Sequence, residues 1–464
     1  MSENFDVVVI GAGASGENVA GRVAAGGLTA AVVEAELVGG ECSYWACMPS
    51  KGLLRPGEMI AAAQRVPGAA EAVTGTIDAA AALARRDKLT HDWDDSSQVR
   101  WLDGAGVTLV RGQARITGER VIDVTAADGS IRTLEVNKAV VVATGSASAI
   151  PPIPGLRDIR VWDSRAATSA KEVPQRLVVL GGGVVGVEMA QAWKRLGATE
   201  VTIIEAGKRL VANLEPFAGE QLGAALADEG IRIVTDLKAV GFERDGGDGP
   251  VRVTLDDGQV VEGDELLVAV GRRPSTDDLG LDTIGLEPGR YITVDDSLRA
   301  TGVSGGWLYA VGDVNGRVLL THQGKYQARI CSDVILGKEI TAWADHVAVP
   351  SVVFTDPQIG SVGLTEAKAR DKGINVRILR YETGDIAAAA TRGTHTIGTS
   401  QLVVDDDRRV VVGATFVGPE IGELVHAATI AIVGEVTLDR LWHAVPAYPT
   451  MSELWLRFLE AAGL

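Results

Sequence analysis

Short, near-continuous apolar runs punctuate the chain: Asp6-Val7-Val8-Val9-Ile10, Ala30 to Val33, Arg176 to Leu180 and Val201 to Ile204. Apolar runs of this length, bounded by glycine or an acid, read as strands buried on both faces. Between the first two lies Gly11-Ala12-Gly13-Ala14-Ser15-Gly16, then an alanine-rich stretch with helical character. Between the second two lies Gly181-Gly182-Gly183-Val184-Val185-Gly186, then a helix predicted to run to about Leu196. Strand, glycine turn, helix and strand therefore occur twice. From about residue 346 the pattern changes to alternating strands, such as Gln401 to Val404 and Val410 to Phe416, followed by helices. Asp245 to Gly249, made only of Asp and Gly, predicts a hairpin turn rather than a calcium loop.

Each glycine turn ends one strand and opens one helix, with an acid closing the next strand: Glu34 in the first unit and Glu205 in the second. Glycines allow the tight turn and close backbone approach, a pyrophosphate can rest on the helix N-terminus, and the acid can accept from a ribose hydroxyl. Two such units predict two bound dinucleotides, one delivering hydride and one holding electrons. FAD and a nicotinamide nucleotide fit that division. A carboxylate at Glu205 would repel a 2′-phosphate, which favours NADH over NADPH, although Lys208 and Arg209 lie just beyond it.

Cys42 and Cys47 follow the first unit directly, in Gly39-Gly40-Glu41-Cys42-Ser43-Tyr44-Trp45-Ala46-Cys47-Met48-Pro49-Ser50-Lys51. On one regular helix, residues five apart are rotated by about 140° and separated by roughly 8 to 9 Å, too far for a disulfide. A bridge there must distort the turn, and strained bridges are the reducible ones. Half a zinc site is the competing reading, but the remaining Cys331 and the nearest histidine, His91, are distant in sequence, so no metal site is expected. Two unrelated buried thiols would be the blander alternative. Tyr44 and Trp45 between the cysteines read mainly as packing residues, with an aromatic acceptor pocket as the alternative.

The 464 residues have room for two to four domains. Three cysteines in that length argue against an extracellular disulfide framework. The early strand leaves no space for a basic, apolar leader, and no run approaches a membrane span, so a cytoplasmic protein is expected. A net charge of −17 disfavours nucleic acid and anionic membrane as partners.

Taken in order, these motifs resemble the flavoprotein disulfide reductases, the family of dihydrolipoamide dehydrogenase, glutathione reductase and mercuric reductase. The resemblance spans essentially the whole chain. Besides the glycine turns and Cys42 to Lys51, it rests on Ala143-Thr144-Gly145-Ser146, Glu188, Val270-Gly271-Arg272-Arg273-Pro274 and Ala310-Val311-Gly312-Asp313. Val353-Phe354-Thr355-Asp356-Pro357 and Pro449-Thr450-Met451-Ser452-Glu453 complete it. The resemblance implies an α/β protein with two Rossmann-like domains and a C-terminal α+β dimerisation domain. FAD-binding segments would occupy 1–147 and 272–345, the nicotinamide domain 148–271 and the dimerisation domain 346–464.

By the same resemblance, Cys42 is the thiol that meets substrate and Cys47 the thiol against the flavin. Lys51 and Glu188 form an ion pair near the flavin, and Asp313 bonds its ribityl chain. FAD contacts would come from Gly11, Gly13, Ala14, Ser15, Gly16, Glu34, Gly40, Lys51, Thr144, Gly145, Gly312 and Asp313. Nicotinamide contacts would come from Gly181, Gly183, Val184, Val185, Gly186, Glu205 and Gly271. A homodimer is implied, with the active site completed across it.

The departures bear on the acceptor. Disulfide-reducing members carry a histidine, paired with the later Glu as a proton relay, where this chain has Tyr448; Glu453 remains. A phenol with a pKa of about 10 donates a hydrogen bond where imidazole exchanges a proton. His443 would need another chain path to substitute, and His322 reads as a packing residue near the flavin. Tyrosine at that place resembles mercuric reductase, yet the sequence given ends Ala461-Ala462-Gly463-Leu464 without a cysteine pair. Val184 stands where a tyrosine often gates the nicotinamide pocket, which predicts a more open flavin face. Three readings of the small-molecule acceptor follow. Thiols could pass electrons to a small disulfide or thiophilic species, flavin could pass them directly to quinone or oxygen, or the chain could be the dihydrolipoamide dehydrogenase component of a multienzyme complex.

Overall fold

The computed structural model describes residues 3–394 and 396–464. They divide into two compact units, the first made of Met1–Pro49, Asp87–Ala149 and Gly271–Asp345. Its sheet runs in the order Thr108–Arg111, Ala30–Glu34, Glu3–Ile10, Ile131–Val142, Val121–Thr125, Gln113–Gly118, with Leu308–Ala310 also paired to Ile131–Val142. The strands around Glu3–Ile10 are parallel, in the register Val7 opposite Ala30 and Val7 opposite Ala139. Val7, Val8 and Val9 are completely buried, as are Val140, Val141 and Val142. Covering both faces is what turns these runs apolar at every position, and each valine so buried contributes roughly 2 kcal/mol.

Helix Ala14–Ala25 buries Gly16, Val19, Ala20 and Val23, the spacing of a single helical stripe. It packs on helix Thr321–Ile335. The approach is close because Gly324 has no side chain: a Cβ there would lie 2.3 Å from Ser15 Oγ. A two-stranded ribbon, Ser146–Ser148 against Arg272–Pro274, also belongs to this unit.

The second unit comprises Ser50–Arg86, Ile150–Val270 and His346–Leu464. It contains a parallel sheet ordered Ile231–Thr235, Glu200–Glu205, Arg176–Leu180, Glu265–Val268, and an antiparallel sheet of Ala239–Arg244, Val251–Leu255 and Val260–Gly263. The Asp/Gly segment is the hairpin turn, closed by Gly249 N–H donating to Asp245 O at 3.0 Å. A five-stranded antiparallel sheet follows, ordered Pro350–Val353, Gln358–Gly363, Val410–Gly418, Thr399–Asp405, Val376–Glu382.

Its central strands differ from the one-sided alternation expected of them, since every residue of Thr399–Asp405 is buried. Leu402, Val404, Ala414 and Phe416 pack under helices Val425–Val433 and Glu453–Ala461. Val417 and Ile359 face the opposite way, towards the core built on Trp193 and Leu222. The buried polar positions are satisfied: Gln401 donates to Glu215 Oε1 at 3.1 Å and accepts from Arg380.

Candidate functional site

Both glycine turns are built on the same plan. Gly11 has φ +100°, and a Cβ on Gly16 would lie 1.8 Å from Gly11 O; the corresponding values are +107° at Gly181 and 2.0 Å between Gly186 and Gly181 O. The helices that follow start at Gly13 and Gly183 with no side-chain cap, so their first N–H groups face outward unpaired by any side chain. That is the donor set an anionic pyrophosphate needs. Ala14, Ser15, Val184 and Val185 open these helices, and Val184 is 39 % exposed.

The two acids have a task that the sequence did not disclose. Glu34 Oε2 accepts from Ala12 N–H at 2.7 Å and Oε1 from Glu36 N–H at 2.8 Å. Glu205 Oε2 accepts from Gly182 N–H and Oε1 from Gly207 N–H, both at 2.6 Å. Each carboxylate thus pins its own glycine turn, with lone pairs left for a ribose. Burial raises the Glu34 carboxyl, while its two N–H donors hold it down. Arg209 Nη2 donates to Ala212 O at 2.9 Å and Leu214 O at 3.4 Å, while its Nε is buried without a partner.

In the first unit, Gly39 and Gly40 turn the chain with φ +113° and +59°. Gly13 and Gly39 form a backbone bridge, so any side chain at Gly40 would strike Gly13 Cα at 2.8 Å. Cys42 lies in helix Gly40–Tyr44 and Cys47 begins helix Cys47–Gln64, the chain breaking its helical path at Trp45 and Ala46. This break removes the geometric obstacle that a single regular helix would impose. Both cysteines are free thiols, and they are hydrogen bonded to one another. Thr321 Oγ1 is 3.3 Å from Cys47 Sγ and also bonds Cys42.

That hydrogen bond to Cys47 is the main reason the Cys42 thiol is pushed well above the usual thiol range; burial adds to it, and Thr321 and Lys325 oppose it. Within the reduced pair, Cys42 therefore holds its proton firmly. Thr321 sits beside His322, which is itself exposed. Tyr44 is wholly buried and meets Trp45 edge-on at 5.7 Å, a packing arrangement.

Asp313 accepts from Ser146 Oγ at 2.5 Å, and Arg272 donates to Ser146 Oγ and to Ser146 O at 2.6 Å each. Gly312 N–H donates to Gln327 Oε1 at 2.8 Å. Close to these in sequence, Thr144 Oγ1 is buried with no hydrogen-bond partner, as is the Tyr44 hydroxyl. Gly145 and Gly271 both have positive φ, +71° and +148°. Orphaned buried hydroxyls, an open glycine turn and an uncapped helix fit a bound dinucleotide.

In the second unit, Lys51 Nζ donates to Glu188 Oε2 at 2.8 Å across 137 residues of sequence. Glu188 Oε1 accepts from Phe354 N–H at 2.9 Å, and Lys51 Nζ stands 4.7 Å from the Phe354 ring centre. Glu188 is buried, so its charge depends on these partners.

The structure does not join Tyr448 to Glu453. Tyr448 is 74 % exposed, whereas Glu453 is buried with Oε1 held by Arg457 at 2.6 Å and Oε2 by Ala387 N–H at 3.1 Å. Arg457, one turn beyond Glu453 on the same helix, was the overlooked signal. His443 is exposed.

Residues 5–328 match the model of the pyridine nucleotide-disulphide oxidoreductases, and residues 349–457 match that family's dimerisation domain. The chain belongs to this family. It is 31 % identical to a mercuric reductase of Staphylococcus aureus over 97 % of this chain and 81 % of that protein. It is 31 % identical to the dihydrolipoyl dehydrogenase of Chlamydia muridarum over 98 % and 96 % of the two chains. Among solved structures, LpdA of Mycobacterium tuberculosis superposes with a TM-score of 0.85 at 27 % identity, covering 98 % of each chain. The flavoprotein disulfide reductase RclA of Escherichia coli, at 24 % identity and a TM-score of 0.86 over 99 % of each chain, shares the fold.

The chain is accordingly an oxidoreductase with the architecture of flavoprotein disulfide reductases: FAD and NAD domains and a C-terminal dimerisation domain. Members of the family are FAD-dependent pyridine nucleotide oxidoreductases. No helix among the described residues is long and apolar enough to cross a membrane.

Proposed function

We propose that this family member oxidises NADH and delivers the electrons through Cys42 and Cys47 to a small disulfide or thiophilic acceptor, as a cytoplasmic homodimer. FAD, when bound, supplies the two-electron link between nicotinamide and thiols. The observation that carries the reading is the hydrogen-bonded Cys42–Cys47 pair with Thr321 on both sulfurs.

Cys42 passes its proton to Cys47 along their hydrogen bond and attacks the acceptor disulfide as the thiolate, forming a mixed disulfide and releasing one thiolate, which takes that proton from Cys47. Cys47 then attacks Cys42 Sγ, closes the Cys42–Cys47 bridge and releases the second thiolate, which is protonated by solvent. By the family resemblance, Lys51, fixed by Glu188, would offer positive charge to a reduced flavin. Asp313, Thr144 and the first glycine turn would hold FAD. Glu205 favours NADH in this reading, because a carboxylate closing the second strand would repel a 2′-phosphate, and Arg209 Nη2 donates to carbonyls.

Anaerobic titration of the purified holoenzyme with NADH tests the reading. A long-wavelength thiolate-to-flavin absorbance after two electrons places the cysteines in the path. Direct bleaching without that band would favour the second reading, electron transfer straight to quinone or oxygen, which the exposed Val184 also supports.

A further inference from the structure

Glu188, Gln191 and Arg195 lie along one face of helix Val184–Leu196. All three hold the same short turn. Phe354 N–H donates to Glu188 at 2.9 Å, Asp356 N–H to Gln191 Oε1 at 2.8 Å, and Arg195 donates to the Asp356 carboxylate at 3.0 Å. Gln191 is only 1 % exposed and uses both ends of its amide. Its Nε2 donates to Asp356 O at 3.0 Å and to Glu229 Oε1 at 2.7 Å. The carboxylate of Glu229 only accepts, which fixes the amide's orientation.

Charge around the latch is balanced. Arg65 reaches Asp356 at 2.7 Å, and Arg195 reaches Glu229 at 2.6 Å. This network grips the turn from beneath, while Phe354 at its other end meets the Lys51–Glu188 pair through an N–H and a ring. Glu188 has two anchors, Lys51 on one oxygen and Phe354 N–H on the other. Removing the second frees its carboxylate to rotate and takes the ring from Lys51.

We propose that Gln191 is a positioning residue for the Lys51–Glu188 pair, acting through the Phe354–Asp356 turn that it latches to the helix. The inference rests on the reading that this pair serves the flavin. Neither Gln191 nor Asp356 touches a reacting group; they set where Lys51 puts its charge. A displacement of about 1 Å at such a group costs up to a hundredfold in rate.

The test is a double-mutant cycle on the holoenzyme with Gln191→Leu and Glu188→Gln, reading the rate of flavin reduction by NADH and the visible flavin spectrum. Each single variant is expected to slow reduction about tenfold and to shift the flavin absorbance alike, and the double variant is expected to be no slower than either. If Gln191→Leu does not fold, Gln191→Ser takes its place in the cycle, leaving the turn unlatched with a smaller apolar change. Multiplying effects, or an unchanged spectrum for the Gln191 variant beside an altered one for Glu188→Gln, overturns the latch alone. An unchanged rate and spectrum for Glu188→Gln overturns the assignment of the pair to the flavin, and the latch with it.

Discussion

Glu17 gives the sharpest quantitative test of the first unit. It lies in the first turn of helix Ala14–Ala25, where the helix dipole favours an ionised carboxylate. Burial wins: it pushes the carboxyl from 4.5 up to about 7, with the Lys325 ammonium opposing. Because the folded pKa is raised, the folded protein binds the proton more tightly than the unfolded chain. The stability this contributes is fully present below about pH 4.5 and is lost as pH rises through 7. A rise of about 2.5 pH units, at about 1.4 kcal/mol each, makes the loss about 3.5 kcal/mol. Glu17→Gln keeps the shape and removes the titration. Denaturant unfolding of variant and wild type across pH 4 to 8.5 isolates the effect, since every other group cancels in the difference. That difference should climb in the variant's favour between pH 4.5 and 7, then level off. A flat difference would refute the burial argument, and a slope of opposite sign would mean that Lys325, not burial, dominates.

Four further outcomes are expected. Cys42→Ser should abolish turnover of disulfide acceptors while leaving NADH-dependent quinone reduction, whereas Cys47→Ser should remove the long-wavelength absorbance; stopped-flow spectra distinguish the two. Tyr448→His should raise disulfide turnover less than Tyr448→His combined with Arg457→Gln, because Arg457 occupies Glu453 Oε1 in the parent; equal rates would remove Arg457 from the account. Gly16→Ala, whose Cβ would meet Gly11 O at 1.8 Å, should cost at least about 3 kcal/mol and strip FAD, read from the flavin content of the purified protein. If the proposed NADH preference rests on Glu205, Glu205→Ala should narrow it about tenfold in kcat/KM, chiefly by weakening NADH, because Gly182 loses its acceptor.

The parts of the fold that were legible in the sequence are those fixed by local constraint. A strand buried on both faces must be apolar throughout, and a helix that starts within a glycine turn needs its glycines at set offsets, so Val7 to Gly16 and Leu177 to Gly186 declare themselves. The Asp245–Gly249 hairpin is local in the same sense. What stayed hidden depends on residues far apart in the chain. Nothing near Gln191 announces a turn 165 residues later, and nothing near Cys47 announces Thr321. The family resemblance pairs a histidine with the acid at Glu453, but here the neutral Tyr448 stands in its place and the Arg457 guanidinium, one helical turn away, holds the carboxylate. The burial of Thr399–Asp405 on both faces likewise depends on what covers the sheet, which its alternation could not state.

The carboxylates of Glu34 and Glu205 have a consequence for redesign. Each closes the loop that precedes it through a backbone N–H, at Ala12 in one case and Gly182 in the other. On the proposed reading of Glu205, discrimination between two nucleotides and the rigidity of the loop that would hold their phosphates are vested in one side chain. A programme that swaps Glu205 to recruit a phosphorylated ribose also unfastens the platform on which that nucleotide must land, so successful variants will carry a second substitution that refastens Gly182.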